Sequence, residues 1–371
     1  MPRQEPDITL ITGFPAFTVK RMVRKLVAAD PRERVYLLVR DKFQRAAEEF
    51  IAELGPSACK RVAIVLGDVC DMDLGLSGAE FKELTAELTA IHHLASIYYL
   101  GARREIAERV NVQGTRAMIE LAMECGKLRR FCHYSTAQVS GERSGVILEE
   151  ELETGQRFRN YYEETKCRGE ELVAAAAKRL PITILRPGVI VGDSKTGEID
   201  KFDGPYYLIV LIVASKLDLH LPLPGRGSAP LHVVPIDFVV DAAWALSRDP
   251  RAEGKTFHLT DPAPFAARSI YEMIARKAEK KPPRGTFPTA LARAFLRTPG
   301  LRRIARVPLS LLESFNHMAI YNCRNTLALL EGTSIRCPPF DEYVDALVRY
   351  VREVHAARRQ KLEEEIFDPF E

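Results

Sequence analysis

No Cys-x-x-Cys pair occurs among the seven cysteines (59, 70, 125, 132, 167, 323 and 337), an odd and scattered set that argues against a disulfide framework and against a zinc site. Reduced thiols lead to the expectation of a cytoplasmic protein. A long apolar run is also missing: the longest, 206–215, is half of the roughly 20 residues that a membrane-spanning helix needs. The first residues, Met1-Pro2-Arg3-Gln4-Glu5-Pro6-Asp7, lack a charged segment followed by a cleavable apolar stretch, so no secretory signal is expected. Charge of one sign is scarce as well, since 53 basic and 50 acidic residues leave a formal +3. That balance gives no electrostatic reason to expect nucleic acid as a partner, and a small-molecule substrate fits better.

What is present is an alternation. Short β-branched runs at Ile8–Thr12, 35–39, Val62–Leu66, 96–100 or the preceding 91–95, Arg130–Tyr134 and 182–186 are separated by helical periodicity at 20–29, 41–54, 78–88, 104–124 and 161–179. The pattern predicts an α/β fold, a doubly wound parallel Rossmann sheet with a smaller, mainly helical C-terminal substrate region. The expected Rossmann domain spans 1–192, with 231–262 returning to it. Residues 193–230 and 263–371 then form the substrate region, in which Gly- and Pro-rich loops separate helices at 206–215, 236–247 and 343–359.

The first strand runs into Thr12-Gly13-Phe14-Pro15-Ala16-Phe17 and a helix, the place of a nucleotide-binding turn. Such turns use three glycines: for the tight bend, for backbone approach to the pyrophosphate, and for helix–strand packing. Here Gly13 is alone, with Ala16 and Val19 in the other two places. A valine between helix and strand costs about 1–3 kcal/mol unless neighbours shrink, so weakened binding is the expectation. The helix N-terminus still offers N–H groups and its dipole to an anion. At the end of the second strand stands Arg40, where an NAD-selective site places an acid; its fork of donors suits a 2′-phosphate. NADP(H) is therefore favoured, with NAD(H) left open by the neighbouring Asp41 and by the alternative of a solvated surface arginine. Asp68 and Val69, at the end of the third strand, fall where the adenine would lie.

Tyr162-Glu163-Glu164-Thr165-Lys166 places a phenol and an ammonium one helical turn apart. A nearby ammonium favours the phenolate, which predicts a phenol pKa lowered toward neutrality. Taken alone, the spacing is common by chance. The order changes that, because a strand ending in Ser135-Thr136 precedes this helix and a strand ending in Arg186-Pro187-Gly188 follows it. A hydroxyl, a Tyr/Lys pair and a turn then converge on the carboxyl edge of a parallel sheet, where ligands bind. His92 and His93 have no partner at metal spacing and read as packing residues lining the cleft.

These motifs resemble the extended short-chain dehydrogenases/reductases, and within them the male-sterility or thioester-reductase group that includes fatty acyl-CoA reductases. The resemblance covers residues 7–262. It rests on Thr12-Gly13, Leu38-Val39-Arg40, Gly67-Asp68-Val69, His93-Leu94-Ala95, Asn111-Val112-Gln113-Gly114-Thr115, Ser135-Thr136, Tyr162 with Lys166, Arg186-Pro187-Gly188 and the phrase Asp193-Ser194-Lys195-Thr196-Gly197. It implies that Tyr162 protonates a carbonyl oxygen as hydride arrives, that Lys166 also holds the nicotinamide ribose, and that Thr136 hydrogen-bonds the reacting oxygen, with Ser135 in reserve. Asn111 is similar to the family's structural and proton-relay asparagine. Val69, Leu94, Ala95, Pro187 and Gly188 fall among the cofactor contacts.

The resemblance implies NADPH-dependent reduction of an acyl thioester, on CoA or an acyl carrier, to an aldehyde or alcohol. A ketone or hydroxyl dehydrogenase, or a sugar-nucleotide epimerase, shares the scaffold, although Ser140 stands where many epimerases have tyrosine. A non-catalytic sensor or scaffold is a third reading, suggested by Ala16 and Val19. The stretch 290–307, with Arg293, Arg297, Arg302, Arg303 and Arg306, suits peripheral contact with an anionic membrane or a phosphorylated carrier arm. A homodimer is compatible with the chain.

Overall fold

The computed structural model describes residues 6–98, 102–201, 205–214, 220, 223–288 and 317–366. Seven strands form one parallel sheet: β1 (Ile8–Thr12), β2 (Arg34–Val39), β3 (Val62–Leu66), β4 (Ala90–His93), β5 (Arg130–Tyr134), β6 (Ile182–Pro187) and β7 (Lys255–Leu259). Their spatial order is β7-β6-β5-β4-β1-β2-β3, and every neighbouring pair is parallel. This is the doubly wound order, in which the direction of winding reverses between β1 and β4 and opens a crevice at the strands' carboxyl ends. Strands buried on both faces need continuous apolar runs, and β5 and β6 are buried at every position.

The longer helices are α1 (Phe17–Ala29), α2 (Gln44–Glu53), α3 (Gly78–Glu87), α4 (Gly114–Glu124), α5 (Tyr161–Ala176), α6 (Pro205–Ala214), α7 (Ile236–Arg248), α8 (Ala267–Lys277) and α9 (Phe340–Ile366). Val19, Met22, Val23, Leu26 and Val27 make the buried stripe of α1. The start of α3 follows from a capping box: the Ser77 hydroxyl accepts from the Glu80 N–H, and the Glu80 carboxylate accepts from the Ser77 N–H. Met118, Leu121, Phe131, Val173, Ile182 and Ile184 belong to one core cluster between the sheet and its helices. Each such apolar side chain contributes about 1.5–3 kcal/mol on burial.

The structure divides into two compact units. The first is Met1–Gly188, Val239–Thr260 and Tyr321–Arg336; the second is Val189–Phe238, Asp261–Ile320 and Cys337–Glu371. The sequence placed these boundaries elsewhere. Residues 189–192 leave the first unit because Val189–Val191 pairs in parallel with Val233–Pro235 rather than with the main sheet. Tyr321–Arg336, expected in the substrate region, joins the first unit because the buried Glu149 carboxylate accepts from the N–H groups of Asn325 and Thr326 and from the Thr326 hydroxyl. Within the second unit, Tyr206, Ile209, Ile274, Tyr343, Leu347 and Val351 share one core cluster.

Other expectations are corrected in detail. The fourth strand is Ala90–His93, so of the two predicted ranges 91–95 is the one that overlaps it, and 94–98 is irregular. The helix expected over 104–124 is broken by a π-turn at Arg109–Gln113. Strand β7 was not foreseen; it is short and carries polar residues at alternate positions. The basic stretch at 290–307 lies within 289–316, outside the described residues. No helix among the described residues is long and apolar enough to cross a membrane.

Candidate active site

All of the predicted site residues lie in the first unit, at the carboxyl ends of its strands. Gly13, at the turn after β1, has φ +101°, and a Cβ there would lie 2.9 Å from the backbone of Leu94 and Ala95. Only glycine meets both conditions without strain. The Thr12 hydroxyl accepts the Ala95 N–H at 3.1 Å and lies 2.9 Å from Nδ1 of His93, whose Nε2 is 3.1 Å from the Thr115 hydroxyl. Thr115 donates its own proton to the Asn111 carbonyl at 2.8 Å. That assignment makes Nε2 of His93 the donor and Nδ1 the acceptor of the Thr12 proton. Burial pushes His93 down to about 3, which keeps this neutral tautomer in place.

Ala16 begins α1 without a side-chain cap, and the first turn contains no acidic residue. The N–H groups and positive end of the helix dipole there suit an anionic pyrophosphate. Val19 is fully buried on the core face of α1, not in the turn. Phe14 is also buried, its ring 5.9 Å from that of Phe50 and 5.7 Å from the Lys20 ammonium. These features fit a dinucleotide's phosphates despite the two missing glycines.

Arg40 is exposed just beyond β2, with its guanidinium 5.0 Å from the Phe43 ring centre. Asp68 closes a turn: its Oδ1 accepts the Cys70 N–H at 3.0 Å, and its own N–H donates to the Leu74 carbonyl at 2.9 Å. Gly67 admits this loop, since a Cβ would lie 2.3 Å from the Leu74 oxygen. Val69 is buried, and the adjoining Gly114 leaves room for it; a Cβ on Gly114 would approach Val69 to 2.8 Å.

At the other end of the crevice, Asn160 starts α5 by accepting the Glu163 N–H, and Glu163 is held by an ion pair with Arg159 at 2.9 Å. This cap orients the first turn, which carries Tyr162. Lys166, one turn later and 3% exposed, donates to the Tyr134 carbonyl at 2.7 Å. Tyr134 ends β5, and Thr136, two residues on, accepts the Gln138 N–H and lies near enough to the Tyr162 phenol to act on its ionisation. The fold thus brings Thr136, Tyr162 and Lys166 to one strand end. The Ser135 hydroxyl is buried with no hydrogen-bond partner.

One electrostatic expectation is overturned. Burial pushes the Tyr162 phenol up to about 12, with the Thr136 hydrogen bond opposing the rise and Glu163 adding to it. The Lys166 ammonium donates to the Tyr134 carbonyl. Burial also lowers Lys166 to about 8, with Glu170 opposing the fall.

Asn111 lies in the π-turn. Its Oδ1 accepts from the Ser96 hydroxyl and the Ile97 N–H, while its Nδ2 donates to the Ile97 carbonyl and the Thr165 hydroxyl. The side chain therefore ties the segment after β4 to α5. Gly169 allows the close approach, since a Cβ there would lie 2.4 Å from the Asn111 oxygen. Pro187 ends β6, and the Gly188 N–H donates to the Leu259 carbonyl at 3.0 Å. His92 is buried 2.9 Å from the Tyr134 hydroxyl, as expected of a packing residue, and no metal-binding cluster occurs among the described residues.

Several participants were not foreseen. The Tyr134 carbonyl, Glu170 and Arg186 surround Lys166 or its helix, and Tyr321 brings its phenol to 3.1 Å from the Ser140 hydroxyl across 181 residues of sequence. The four-residue step from Lys166 to Glu170 was a readable signal; the Tyr321 contact left none.

Comparison with known proteins accords with this geometry. The male sterility protein family, a nucleotide-binding family, matches residues 11–243. Fatty acyl-CoA reductase wat of Drosophila melanogaster is 28% identical over 283 residues, 64% of this chain and 54% of its own length. A linear gramicidin synthase of Brevibacillus parabrevis is 27% identical over 362 residues, 91% of this chain but 7% of that protein. The terminal R domain from the myxalamid PKS-NRPS biosynthetic pathway superposes with a TM-score of 0.76 at 26% identity, covering 97% of this chain and 93% of the domain. This chain thus spans about half, or much less, of the curated relatives named, and nearly all of that solved R domain. The doubly wound sheet, its Thr/Tyr/Lys strand end and these similarities identify the chain as a member of the male sterility protein family of extended short-chain dehydrogenases/reductases, whose cofactor is a nicotinamide dinucleotide.

Proposed function

We propose that this chain is an NADPH-dependent oxidoreductase that reduces an acyl thioester, carried on CoA or on an acyl carrier, to an aldehyde, with further reduction to an alcohol open to the same residues. The observation that carries the reading is the meeting of Thr136, Tyr162 and Lys166 at the end of β5. The names of the relatives, a fatty acyl-CoA reductase among them, supply the substrate class. Arg40 supports the phosphorylated cofactor: it is exposed beyond β2, where its planar fork can meet a 2′-phosphate.

The bound nicotinamide supplies the hydride. Charge then builds on the substrate's carbonyl oxygen, and Tyr162, held protonated by burial, donates its proton there. Thr136 donates its single hydroxyl proton to the same oxygen. Lys166 draws the phenol's developing charge and meets the ribose hydroxyls with the donors that Tyr134 leaves free. Asn111 keeps α5 in place against the segment after β4. Collapse of the resulting hemithioacetal expels the thiol and leaves the aldehyde.

The test is NADPH consumption by purified protein with a long-chain acyl-CoA beside a panel of ketones and alcohols. Turnover with the acyl-CoA, accompanied by release of free thiol, is the expected result. Turnover confined to ketones would replace the proposed substrate class, and failure to bind either nicotinamide cofactor would favour a non-catalytic role.

A further inference from the structure

Helix α5 carries a second buried charge one turn beyond Lys166. Glu170 is 1% exposed, and its carboxylate pairs with Arg186 of β6 through Nη2 at 2.6 Å and Nε at 2.9 and 3.2 Å. Arg186 is equally buried. Its Nη1 donates to the Glu149 carbonyl at 3.3 Å and meets Nε2 of His258 at 3.3 Å. Nδ1 of His258 faces the Asn322 carbonyl at 2.8 Å, and a carbonyl can only accept. Nδ1 therefore carries the proton, and Nε2 accepts from Arg186. The guanidinium is thus aimed at the Glu170 carboxylate by donors committed on its other side.

Stability alone gives little reason for such a pair, because a buried ion pair is often no better than apolar residues of the same volume. Lys166 gives a reason. Its ammonium donates to the Tyr134 carbonyl on β5 and acts electrostatically on His93 of β4 and His133 of β5; Glu170, one turn later on α5, opposes its loss of charge, and Arg186 of β6 pairs with Glu170. Both imidazoles are kept neutral by burial. Among these groups Glu170 supplies the negative charge that offsets the burial of the ammonium. A neutral amine would neither draw a phenol's developing charge nor hold ribose hydroxyls as firmly.

We propose that Glu170, held in place by Arg186, is a positioning residue that keeps Lys166 charged and directed at the end of β5. The proposal rests on the reading of Tyr162 and Lys166 as the proton-transfer pair, but its test needs no substrate. Cofactor-free protein labelled with 13C-lysine is titrated by NMR, with the Lys166 signal assigned by its loss in Lys166→Arg. In Glu170→Gln the midpoint should fall by about one pH unit or more, and in Glu170→Asp it should stay near that of the parent. If the uncompensated Arg186 prevents Glu170→Gln from folding, as judged by circular dichroism, the double variant Glu170→Gln/Arg186→Gln removes both charges and should show a smaller fall, because the repulsion from Arg186 is removed with the attraction of Glu170. An unchanged midpoint in either folded variant overturns the proposal. In a parent that turns over NADPH, the alkaline limb of kcat should move to lower pH in Glu170→Gln; reduced amplitude without that movement would mark a merely structural residue and reject the assignment.

Discussion

The Lys166 ammonium donates to the main-chain carbonyl of Tyr134 at 2.7 Å, joining helix α5 to the end of strand β5. The bond leaves the remaining ammonium donors beside the strand end and fixes the lysine's reach.

Turnover should decline as pH rises through about 8, where Lys166 loses its proton. The sign follows from the role: the ammonium is the useful form, burial lowers its pKa, and so activity is present below that midpoint and lost above it. Tyr162, at about 12, remains protonated throughout. A profile of kcat between pH 6 and 10 checks this, and a flat profile would remove the assigned role of Lys166.

Tyr162→Phe keeps the ring and removes the proton donor. It should reduce kcat by roughly 10²–10⁴-fold while leaving NADPH affinity close to that of the parent. Paired steady-state rates and fluorescence titrations separate the two effects. Normal turnover in this variant would assign the proton to another group.

Arg40→Ala should weaken NADPH binding by about 1.5–3 kcal/mol, or roughly tenfold to more than a hundredfold, with little change for NADH. The argument is the exposed guanidinium beyond β2. Isothermal titration with both cofactors measures the difference. Equal losses would contradict recognition of the 2′-phosphate.

Gly13→Ala introduces a Cβ into a position with φ +101° and places it 2.9 Å from the backbone of Leu94 and Ala95. The added strain should cost about 1–3 kcal/mol of stability, read as a lower Tm, and should weaken either cofactor together with it. A variant with the parent's Tm and affinity would falsify the close approach of these two loops.

Much of the first unit was legible in the amino-acid order. The runs at Ile8–Thr12, Val62–Leu66 and Arg130–Tyr134 coincide with strands, because short runs rich in β-branched or aromatic residues favour the extended backbone. Strand β7 was missed because its short run carries polar residues between apolar ones. The predicted helix over 104–124 has the right periodicity, but Asn111 lies in a π-turn there, and its side chain bonds across to Thr165. Local periodicity does not report such a tertiary demand.

The substrate side was less legible. The phrase from Asp193 to Gly197 read as a substrate loop, yet its polar groups bond within the second unit: Asp193 accepts from the N–H groups of Lys195 and Thr196, and Ser194 donates to Asp237. The Tyr206 hydroxyl donates to the Gly197 carbonyl and closes this turn. The same residue types serve a ligand or a turn, and only their neighbours distinguish the two.

By itself, the chain's order of residues determined the Rossmann alternation, the solitary Gly13 of the first turn and the succession of Thr136, Tyr162 and Lys166, because backbone preference and side-chain period act over a few positions. Tertiary structure decided the ionisation of those groups and the company they keep. Burial, which raises Tyr162 and lowers Lys166, and contacts such as Glu170 with Arg186 or Ser140 with Tyr321 depend on what the rest of the chain packs around each atom.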